Sequence, residues 1–226
     1  MSRHRNMLFL FGGESFSWGV VFNGTTTVIN AGSEASIDNL ADGAVTLEMV
    51  LSPTAGSLGR LFSKYGGIVA DYYAGGAGVE MTIYCATTNA HSSALCTQDG
   101  LPHHYAFEFD DAGDRKIKIF IDGAEVSYLA QTAGVGAIVA DADYDMSFGN
   151  YAAGGDPFTG KIHWVRISNV IRYTATFTPP TSKLPPAVDA NTVRLFKMDE
   201  GKGTVIYDKS SNAQNATLTA GTWVKE

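Results

Sequence analysis

The sequence predicts an all-β fold in which short antiparallel strands, joined by glycine-rich turns, enclose one hydrophobic core. Three observations carry this prediction. Apolar side chains alternate with period two in several segments, turn dipeptides separate those segments, and no long stretch shows a helical period. The best helical candidate, residues 36–40, is about one turn long. Alternation alone does not decide between a sandwich and a barrel.

The predicted strands each place their apolar residues on one face. The segment 45–51 does so with four alternate apolar side chains, and 115–121 does so with three isoleucines. Further strands are predicted over residues 79–85, 103–109, 161–167 and 193–198. Such a series of short strands is typical of a two-layer β-protein.

Turn dipeptides separate these strands. Asp122-Gly123 is the strongest hairpin signal, because a type I′ turn needs positive φ at both central residues and Asp and Gly tolerate it. Gly160 is expected to let a strand start at a tight bend. The other turn signals are Asn23-Gly24, Asp42-Gly43, Asp99-Gly100 and Gly154-Gly155.

Composition excludes several functional classes. The 226 residues are 45% hydrophobic and 17% charged, so the chain can bury a full core and is neither disordered nor membrane-spanning. The net charge is −7, from 23 acidic and 16 basic residues, with no local basic cluster. We therefore expect no nucleic-acid partner.

The chain is expected to form one domain over residues 19–226, preceded by an N-terminal arm, residues 1–18. The proline-rich stretch 178–186 is interpreted as a long connection, because residues 187–226 are too few for a separate core. The apolar segment 7–11 is shorter than a secretory core of about 7–15 residues, so no export signal is expected. The arm is expected to dock on a partner through Phe9, Phe11, Phe16 and Trp18.

The two cysteines leave two interpretations open. Cys85 and Cys96 are either reduced core residues or a disulfide across one hairpin. Without a second cysteine pair or a CxxC motif, a zinc site is not expected.

Seven segments, in order, resemble concanavalin A-like domains of the laminin G-like type. The residues 103–107 resemble the family's W-H-H-V-A strand, although the tryptophan is absent, and 118–123 resemble its Y-V-D-G hairpin. The resemblance implies a two-sheet antiparallel jelly-roll sandwich, concanavalin A-like. The other segments are 22–29, 47–51, 61–64, 158–167 and the two-part motif 199–203 with 208–212, followed by Trp223-Val224.

A further segment, residues 170–180, is similar to one in laminin G-like domains of bacteriophage structural and tail proteins. This resemblance implies a virion protein that is made in the host cytoplasm. Other virion proteins are then the expected partners, with a glycan and a homo-oligomer as further possibilities.

Some enzymes share this fold, so we compare the sequence with their catalytic pattern. Retaining β-glucanases need two carboxylates about 5 Å apart, and an E-x-D-x-E strand supplies them on one face. The best match here is 108–112, where Ala112 stands in place of the acid. Glu108 and Asp110 are therefore expected to end a strand facing solvent, and no catalytic residue is predicted.

Calcium is a possible cofactor, because related domains hold it at the rim of the sandwich. Calcium prefers carboxylate and carbonyl oxygens. Asp141, Asp143 and Asp145 present three acids on one side of a segment expected to be extended, and they are the predicted metal ligands.

Two glycine-rich loops combine the side chains that bind sugars. Aromatic rings pack on apolar sugar faces, while carboxylates and amides bind hydroxyls. The predicted ligand-binding residues are Asp71, Tyr72, Tyr73, Asn150, Tyr151 and Asp156. The alternative is that both loops are ordinary turns whose tyrosines lie at the edge of the core.

Three functional hypotheses follow from these observations. The first is a non-catalytic virion-associated domain that contacts a glycan or host receptor. The second is a structural decoration or tail-associated protein that binds its neighbours in the particle. The third, a glycoside hydrolase, is remote.

Overall fold

The computed structural model describes residues 17–73 and 78–226, whose regular secondary structure is almost entirely β-strand. One 3-10 helix, Leu40–Asp42, follows β2. The strands are β1 (Trp18–Asn23), β2 (Val28–Gly32), β3 (Ala44–Pro53), β4 (Gly59–Lys64), β5 (Ile68–Tyr73), β6 (Gly78–Ile83), β7 (Ala90–Leu95), β8 (His103–Asp110), β9 (Lys118–Ile121), β10 (Ala124–Glu125), β11 (Tyr128–Thr132), β12 (Met146–Phe148), β13 (Thr159–Ser168), β14 (Thr192–Phe196), β15 (Val205–Ile206), β16 (Ala216–Thr219) and β17 (Thr222–Lys225).

The strands form two antiparallel sheets that pack face to face. The eight-stranded sheet has the order β10-β9-β8-β3-β13-β1-β17, with β14 also paired to β13. The nine-stranded sheet has the order β11-β7-β6-β5-β4-β12-β2-β16-β15. The predicted all-β sandwich is therefore confirmed, and the choice left open between sandwich and barrel is settled by the two separate sheets.

The strands after residue 190 are shared between both sheets. β14 and β17 extend the eight-stranded sheet, whereas β15 and β16 extend the nine-stranded one. Their apolar side chains Val193, Phe196, Ile206 and Leu218 join the core between the sheets. Burial of this apolar surface favours holding these strands on the sandwich.

Strand β13 changes which face its side chains occupy partway along. A bulge between Ile162 and Trp164 shifts the register against β3. Ile162 and Val165 consequently face the core, whereas Trp164 packs 5.6 Å from the His104 ring on the other side of the sheet. The indole Nε1 donates a 2.8 Å hydrogen bond to the carbonyl of Thr181.

The connection between β13 and β14, residues 169–191, covers part of the outer face of the eight-stranded sheet. We call it the covering segment. The Tyr173 and Phe177 rings within it stack with centroids 3.6 Å apart, and Phe177 also packs on His104. Beneath it, the buried carboxylate of Glu48 accepts hydrogen bonds from Arg166 at 2.5 Å and Tyr173 at 2.7 Å.

Local backbone conformation explains where the sequence-based prediction holds and where it fails. Asp122 and Gly123 have φ of 50° and 81°, which confirms the predicted type I′ turn between β9 and β10. The predicted strand 115–121 was too long, because Arg115 has φ of 56° and β9 begins only at Lys118. The predicted turn of helix at 36–40 was also displaced, since the 3-10 helix begins at Leu40.

The two cysteines are free, so the hairpin disulfide is excluded in this structure. Cys85 follows β6 and Cys96 follows β7. Because β6 and β7 pair antiparallel, from Gly78 opposite Leu95 to Ile83 opposite Ala90, the two thiols lie at opposite ends of the hairpin. Among the described residues, no helix is long and apolar enough to cross a membrane.

Candidate functional site

A cavity of about 410 Å³ opens beside β4 and β12 on the outer face of the nine-stranded sheet. The Phe62 ring packs 5.4 Å from Phe107 of the opposite sheet, so Ser63, the next residue of β4, faces outward. We call the cavity the tyrosine groove, and its lining residues are Ser63, Tyr65, Tyr144, Asp145, Tyr151, Ala152, Ala153 and Gly154.

Strand pairing brings the parts of the tyrosine groove together. Ser63 lies opposite Ser147 where β4 pairs with β12. The turn after β4 therefore carries Tyr65 next to the turn before β12, which carries Tyr144. The loop after β12 then adds Tyr151, whose ring centroid lies 6.1 Å from that of Tyr65.

Arg60 of β4 holds the Tyr151 wall in place. Its guanidinium Cζ lies 4.2 Å from the Tyr151 ring centroid, and its Nη2 donates to the Tyr151 hydroxyl. The same guanidinium pairs with Asp71 at 2.5 Å and with Asp156 at 3.1 Å. Because Arg60 is buried and engaged on three sides, it fixes the groove wall and the loop that carries it.

Asp71 is the most perturbed carboxyl of this site. Burial raises the pKa of Asp71 to about 7, and the nearby carboxylates of Asp156 and Glu80 add to the effect. The Arg60 guanidinium lowers the pKa, but by less than burial raises it. Asp71 thus changes its charge near neutral pH.

Three of the six predicted ligand-binding residues meet around Arg60, namely Asp71, Tyr151 and Asp156. Asn150 is fully buried instead. Its Oδ1 accepts hydrogen bonds from the backbone N–H groups of Tyr151 and Asp156, at 2.9 and 3.0 Å, so it shapes the loop rather than facing a ligand.

The prediction for Tyr72 was wrong. Tyr72 is 2% exposed and packs on Tyr105 inside the sandwich, because alternate residues of β5 face the core. Tyr73 lies at the end of β5 with its ring over Gly78, and it does not line the tyrosine groove. For Tyr72 and Tyr73, the alternative interpretation, an ordinary turn whose tyrosines lie at the edge of the core, is therefore the better description.

Tyr65, Tyr144 and Arg60 were not among the residues predicted from the sequence. Tyr65 precedes Gly66-Gly67, a turn signal of the same kind as those used for the predicted loops. Tyr144 lies between two acids that were assigned to a metal site. Nothing in the sequence singles out Arg60, since its role depends on its neighbours in the sheet.

The predicted calcium ligands do not converge. Residues 141–145 form a turn, with Tyr144 N–H donating to the Asp141 carbonyl at 3.0 Å, rather than an extended segment. Asp141 is buried and accepts from the Asn39 backbone N–H, Asp143 is exposed, and Asp145 accepts from Asn30. Within the described ranges no group of three His, Cys, Asp or Glu residues is placed to hold a metal ion.

Glu108 does not face solvent as expected, although Asp110 is half-exposed. The side chain of Glu108 is buried, and its Oε1 accepts from Thr46 Oγ1 and from the backbone N–H groups of Arg172 and Tyr173. Burial raises its pKa. Glu108 thus anchors the covering segment, a role that its place in the sequence does not predict.

A serine–histidine–glutamate array lies at the other end of the eight-stranded sheet. Ser52 Oγ lies 2.8 Å from His163 Nε2, and His163 Nδ1 lies 3.0 Å from Glu226 Oε2. Burial lowers the pKa of His163, which suits a general base. Ser52 and His163 are both buried, however, so the hydroxyl is not exposed to a substrate, and the array joins β3, β13 and Glu226.

The predicted docking residues fall into two groups. Phe9, Phe11 and Phe16 lie outside the described residues. Trp18 belongs to β1, where it pairs with Lys225, and a Cβ on Gly201 would come within 2.7 Å of its ring. Trp18 is thus packed on the sandwich, and the assignment of this residue to an arm needs correction.

Comparison with family models agrees with the observed fold. Residues 23–175 match the model of the concanavalin A-like lectin/glucanase superfamily. The chain therefore belongs to this superfamily. No curated protein sequence shows significant similarity to it.

Solved structures with the same fold are distant in sequence. A candidate carbohydrate-binding protein from Bacteroides ovatus has a TM-score of 0.69 and 16% identity, over 92% of this chain and 60% of that one. The CBM40 module of Ruminococcus gnavus sialidase, bound to α2,3-sialyllactose, has a TM-score of 0.48 and 15% identity, over 70% and 93%. Domains LG4-5 of the mouse laminin α1 chain have 0.49 and 16%, over 76% and 46%. This chain thus spans about 60% of the length of the Bacteroides protein, and the similarity shows the fold alone.

Proposed function

We propose that this chain is a non-catalytic glycan-binding domain that holds its ligand in the tyrosine groove. The observation that carries the proposal is the lining of one cavity by three tyrosine rings, of which Tyr65 and Tyr144 are 57% and 42% exposed. Exposed rings pack on the apolar faces of sugars, and the neighbouring Asp145 carboxylate accepts hydrogen bonds from sugar hydroxyls.

The rigidity of the tyrosine groove supports a binding role. Tyr151 is held by Arg60, and its loop is held by Asn150, so these parts of the groove need not be ordered when a ligand arrives. Preorganisation of this kind lowers the entropic cost of binding. The covering segment lies on the other sheet, which leaves this outer face available.

The state of the carboxylates supports binding rather than hydrolysis. A retaining glycosidase needs one carboxylate as nucleophile and a second as proton donor, about 5 Å apart. Asp71 and Asp156 both pair with Arg60, and Asp145 accepts from Asn30 at 2.8 Å. Each of these three carboxylates is thus engaged by another side chain, and no two of them form the unpaired nucleophile and proton donor that hydrolysis needs.

The virion setting forms part of the proposal. It is supported by the resemblance of residues 170–180 to bacteriophage structural and tail proteins. Imaging of purified particles by cryo-electron microscopy tests it. Density for this sandwich with an outward tyrosine groove supports a receptor or glycan contact, and absence of the domain from particles contradicts the setting.

A structural role is the second candidate function. Leu95 and Leu129 are 64% and 60% exposed, and they line one cavity of about 420 Å³ beside the edge strands β10 and β11. Exposed apolar surface at a sheet edge suits contact with a second copy of the chain. Sedimentation at rising concentration tests this, and association that Leu129→Asp abolishes would favour the structural role.

A glycan array followed by calorimetric titration tests the proposed function. Tyr144→Ala is expected to weaken binding of a glycan hit about tenfold, because it removes one exposed wall. Tyr207→Ala is the matched control, since Tyr207 is 52% exposed but lies outside the tyrosine groove. Equal affinities of both variants, or release of reducing sugar from the bound glycan, would contradict the proposal.

A further inference from the structure

The three rings of the tyrosine groove stand as adjoining walls and not as one flat platform. The Tyr65 ring lies 5.2 Å from the Tyr144 ring at an interplanar angle of 66°, and 6.1 Å from the Tyr151 ring at 70°. A flat platform suits a whole sugar ring. Walls at steep angles suit a compact group that contacts more than one ring at once.

One wall already binds a cation within this chain. The guanidinium of Arg60 lies over the Tyr151 ring, with Cζ 4.2 Å from the centroid. The face of a tyrosine ring carries partial negative charge and attracts cations, and the attraction is stronger where water is excluded. Tyr65 and Tyr144 offer further ring surface of the same kind, and both are exposed.

The accessible charges around the tyrosine groove are negative. Asp145 lines the groove and is exposed, and Asp143 is exposed two residues earlier in the same turn. The Asp156 side chain is 40% exposed. Of these carboxylates, Asp145 lies where a ligand in the groove would contact it, while Asp143 and Asp156 add negative charge nearby.

The cations near the same strands are withdrawn from the surface. The side chain of Arg60 is 8% exposed and pairs with two aspartates. The side chain of Lys64 is fully buried, and its Nζ lies 2.9 Å from Asp38 Oδ1 and 2.6 Å from the Tyr144 carbonyl oxygen. A bound anion would therefore meet the Asp145 carboxylate, and neither Arg60 nor Lys64 is free to balance it.

The floor of the tyrosine groove holds one polar atom that is short of a partner. Ser63 is 1% exposed and lines the cavity, and its Oγ makes no hydrogen bond in the described structure. A buried hydroxyl without a partner is unfavourable, so this oxygen is well placed to accept a hydrogen bond from a ligand N–H or O–H.

We infer that the tyrosine groove recognises an ammonium group, so that the glycan it binds carries a cationic amino sugar or a quaternary ammonium substituent. Ring faces, the Asp145 carboxylate and the Ser63 hydroxyl together match a group that is positively charged and partly apolar. The net charge of −7 adds a field that attracts cations and repels acidic sugars. The inference rests on the proposed glycan-binding function and specifies its ligand class.

Calorimetric titration with four probes at mildly acidic pH tests the inference. The probes are a glucosamine oligosaccharide with free amines, its N-acetylated counterpart, choline, and sialyllactose. We expect the free-amine oligosaccharide to bind about tenfold more tightly than the N-acetylated one, and sialyllactose not to bind. Choline distinguishes an amino sugar from a quaternary ammonium substituent. If choline binds as tightly as the free-amine oligosaccharide, the recognised group is a quaternary ammonium substituent.

Two variants that each remove one carboxylate charge test whether Asp145 recognises the amine. Asp145→Asn is expected to reduce the affinity for the free-amine probe about fivefold or more while keeping an acceptor for Asn30. Asp114→Asn is the matched control, because Asp114 is also exposed and also accepts one N–H, from the Lys116 backbone at 3.0 Å. Circular dichroism and melting temperature of both variants check that the fold is kept.

The outcomes distinguish this inference from the proposed function. Equal binding of the free-amine and N-acetylated oligosaccharides, with loss of both in Tyr144→Ala, overturns the ammonium site and keeps the glycan function. Binding of choline alone supports the ammonium site and contradicts the glycan function. Preferential binding of sialyllactose, or equal losses in Asp145→Asn and Asp114→Asn, overturns the inference.

Discussion

The guanidinium of Arg60 lies across the ring of Tyr151, with its Cζ 4.2 Å from the ring centroid. The two residues are 91 positions apart in the chain, and the hydrogen bond from Arg60 to the Tyr151 hydroxyl adds to this contact. Because Arg60 also pairs with Asp71 and Asp156, one buried side chain of β4 sets the position of a groove wall. The shape of the tyrosine groove therefore depends on this arginine.

Truncation of Arg60 tests whether the shape of the tyrosine groove depends on it. Arg60→Ala leaves Asp71 buried without its cation and releases Tyr151, so we expect a loss of about 2 kcal/mol in the free energy of unfolding together with loss of ligand binding. Urea denaturation and calorimetric titration measure the two effects. Arg60→Lys keeps the charge but not the planar fork, and it should retain more stability than affinity. Wild-type affinity in Arg60→Ala would refute the role of Arg60.

The carboxyl of Asp71 makes stability depend on pH. Burial raises its pKa from 3.8 to about 7, so the folded state binds its proton more tightly than the unfolded chain does. The free energy of unfolding therefore falls as pH rises from about 4 to 7, because burial of Asp71, with a smaller contribution from the Asp156 and Glu80 carboxylates, outweighs the favourable charge of Arg60.

Asp71→Asn removes this titration. The free energy of unfolding of wild type relative to that of Asp71→Asn should therefore fall as pH rises from about 4 to 7, and should be level above that range. Urea denaturation across this pH range measures the difference. A difference that rises with pH would show that the Arg60 ion pair outweighs burial.

Gly123 is required at the β9–β10 turn for two separate reasons. Its φ is 81°, and an added Cβ would collide with the carbonyl oxygen of Phe177 in the covering segment. Gly123→Ala is expected to cost about 2–4 kcal/mol of unfolding free energy, from backbone strain and displacement of the covering segment.

Gly100→Ala provides the matched control. Gly100 has φ of 80° and no atom within 4 Å of an added Cβ, so only the backbone strain of about 1 kcal/mol applies. Thermal and urea denaturation of the two variants measure the difference. Equal costs would mean that the contact with Phe177 contributes nothing.

Glu48 holds together the polar layer beneath the covering segment. Burial alone would raise its pKa, but the hydrogen bond from His104 and the charge of Arg166 lower it below its ordinary value of 4.5. Glu48→Gln leaves Arg166 buried without a counter-charge, and we expect a loss of about 3–5 kcal/mol near neutral pH.

The pH dependence of this loss identifies its origin. A carboxyl with a lowered folded pKa contributes stability above its unfolded pKa, and this contribution disappears as pH falls through the folded value. The difference between wild type and Glu48→Gln should therefore shrink below about pH 4.5. Glu125→Gln, at an exposed glutamate, should show no comparable loss. A cost for Glu48→Gln that is independent of pH would contradict an electrostatic origin.

The positions of six of the seventeen strands that the structure describes and the Asp122-Gly123 turn were predictable because their causes are local. Alternation along one strand and the positive φ that a type I′ turn needs are both visible within a few residues. Asp71, Tyr151 and Asp156 were also predictable as candidates, since glycine-rich loops with aromatic and acidic side chains are typical of sugar sites. Their convergence on Arg60 was not predictable from those loops.

The sequence by itself determined an all-β chain, several of its turns and the residue types available for a binding site, because these follow from short-range periodicity and backbone preference, whereas the two-sheet sandwich was only implied by the family resemblance. Only the tertiary structure decided which residues meet. Pairing of β4 with β12 joined Tyr65 to Tyr144, alternation along β5 placed Tyr72 inside, and the covering segment buried Glu108. These outcomes depend on contacts between residues far apart in the chain, which the pattern of any one segment does not encode.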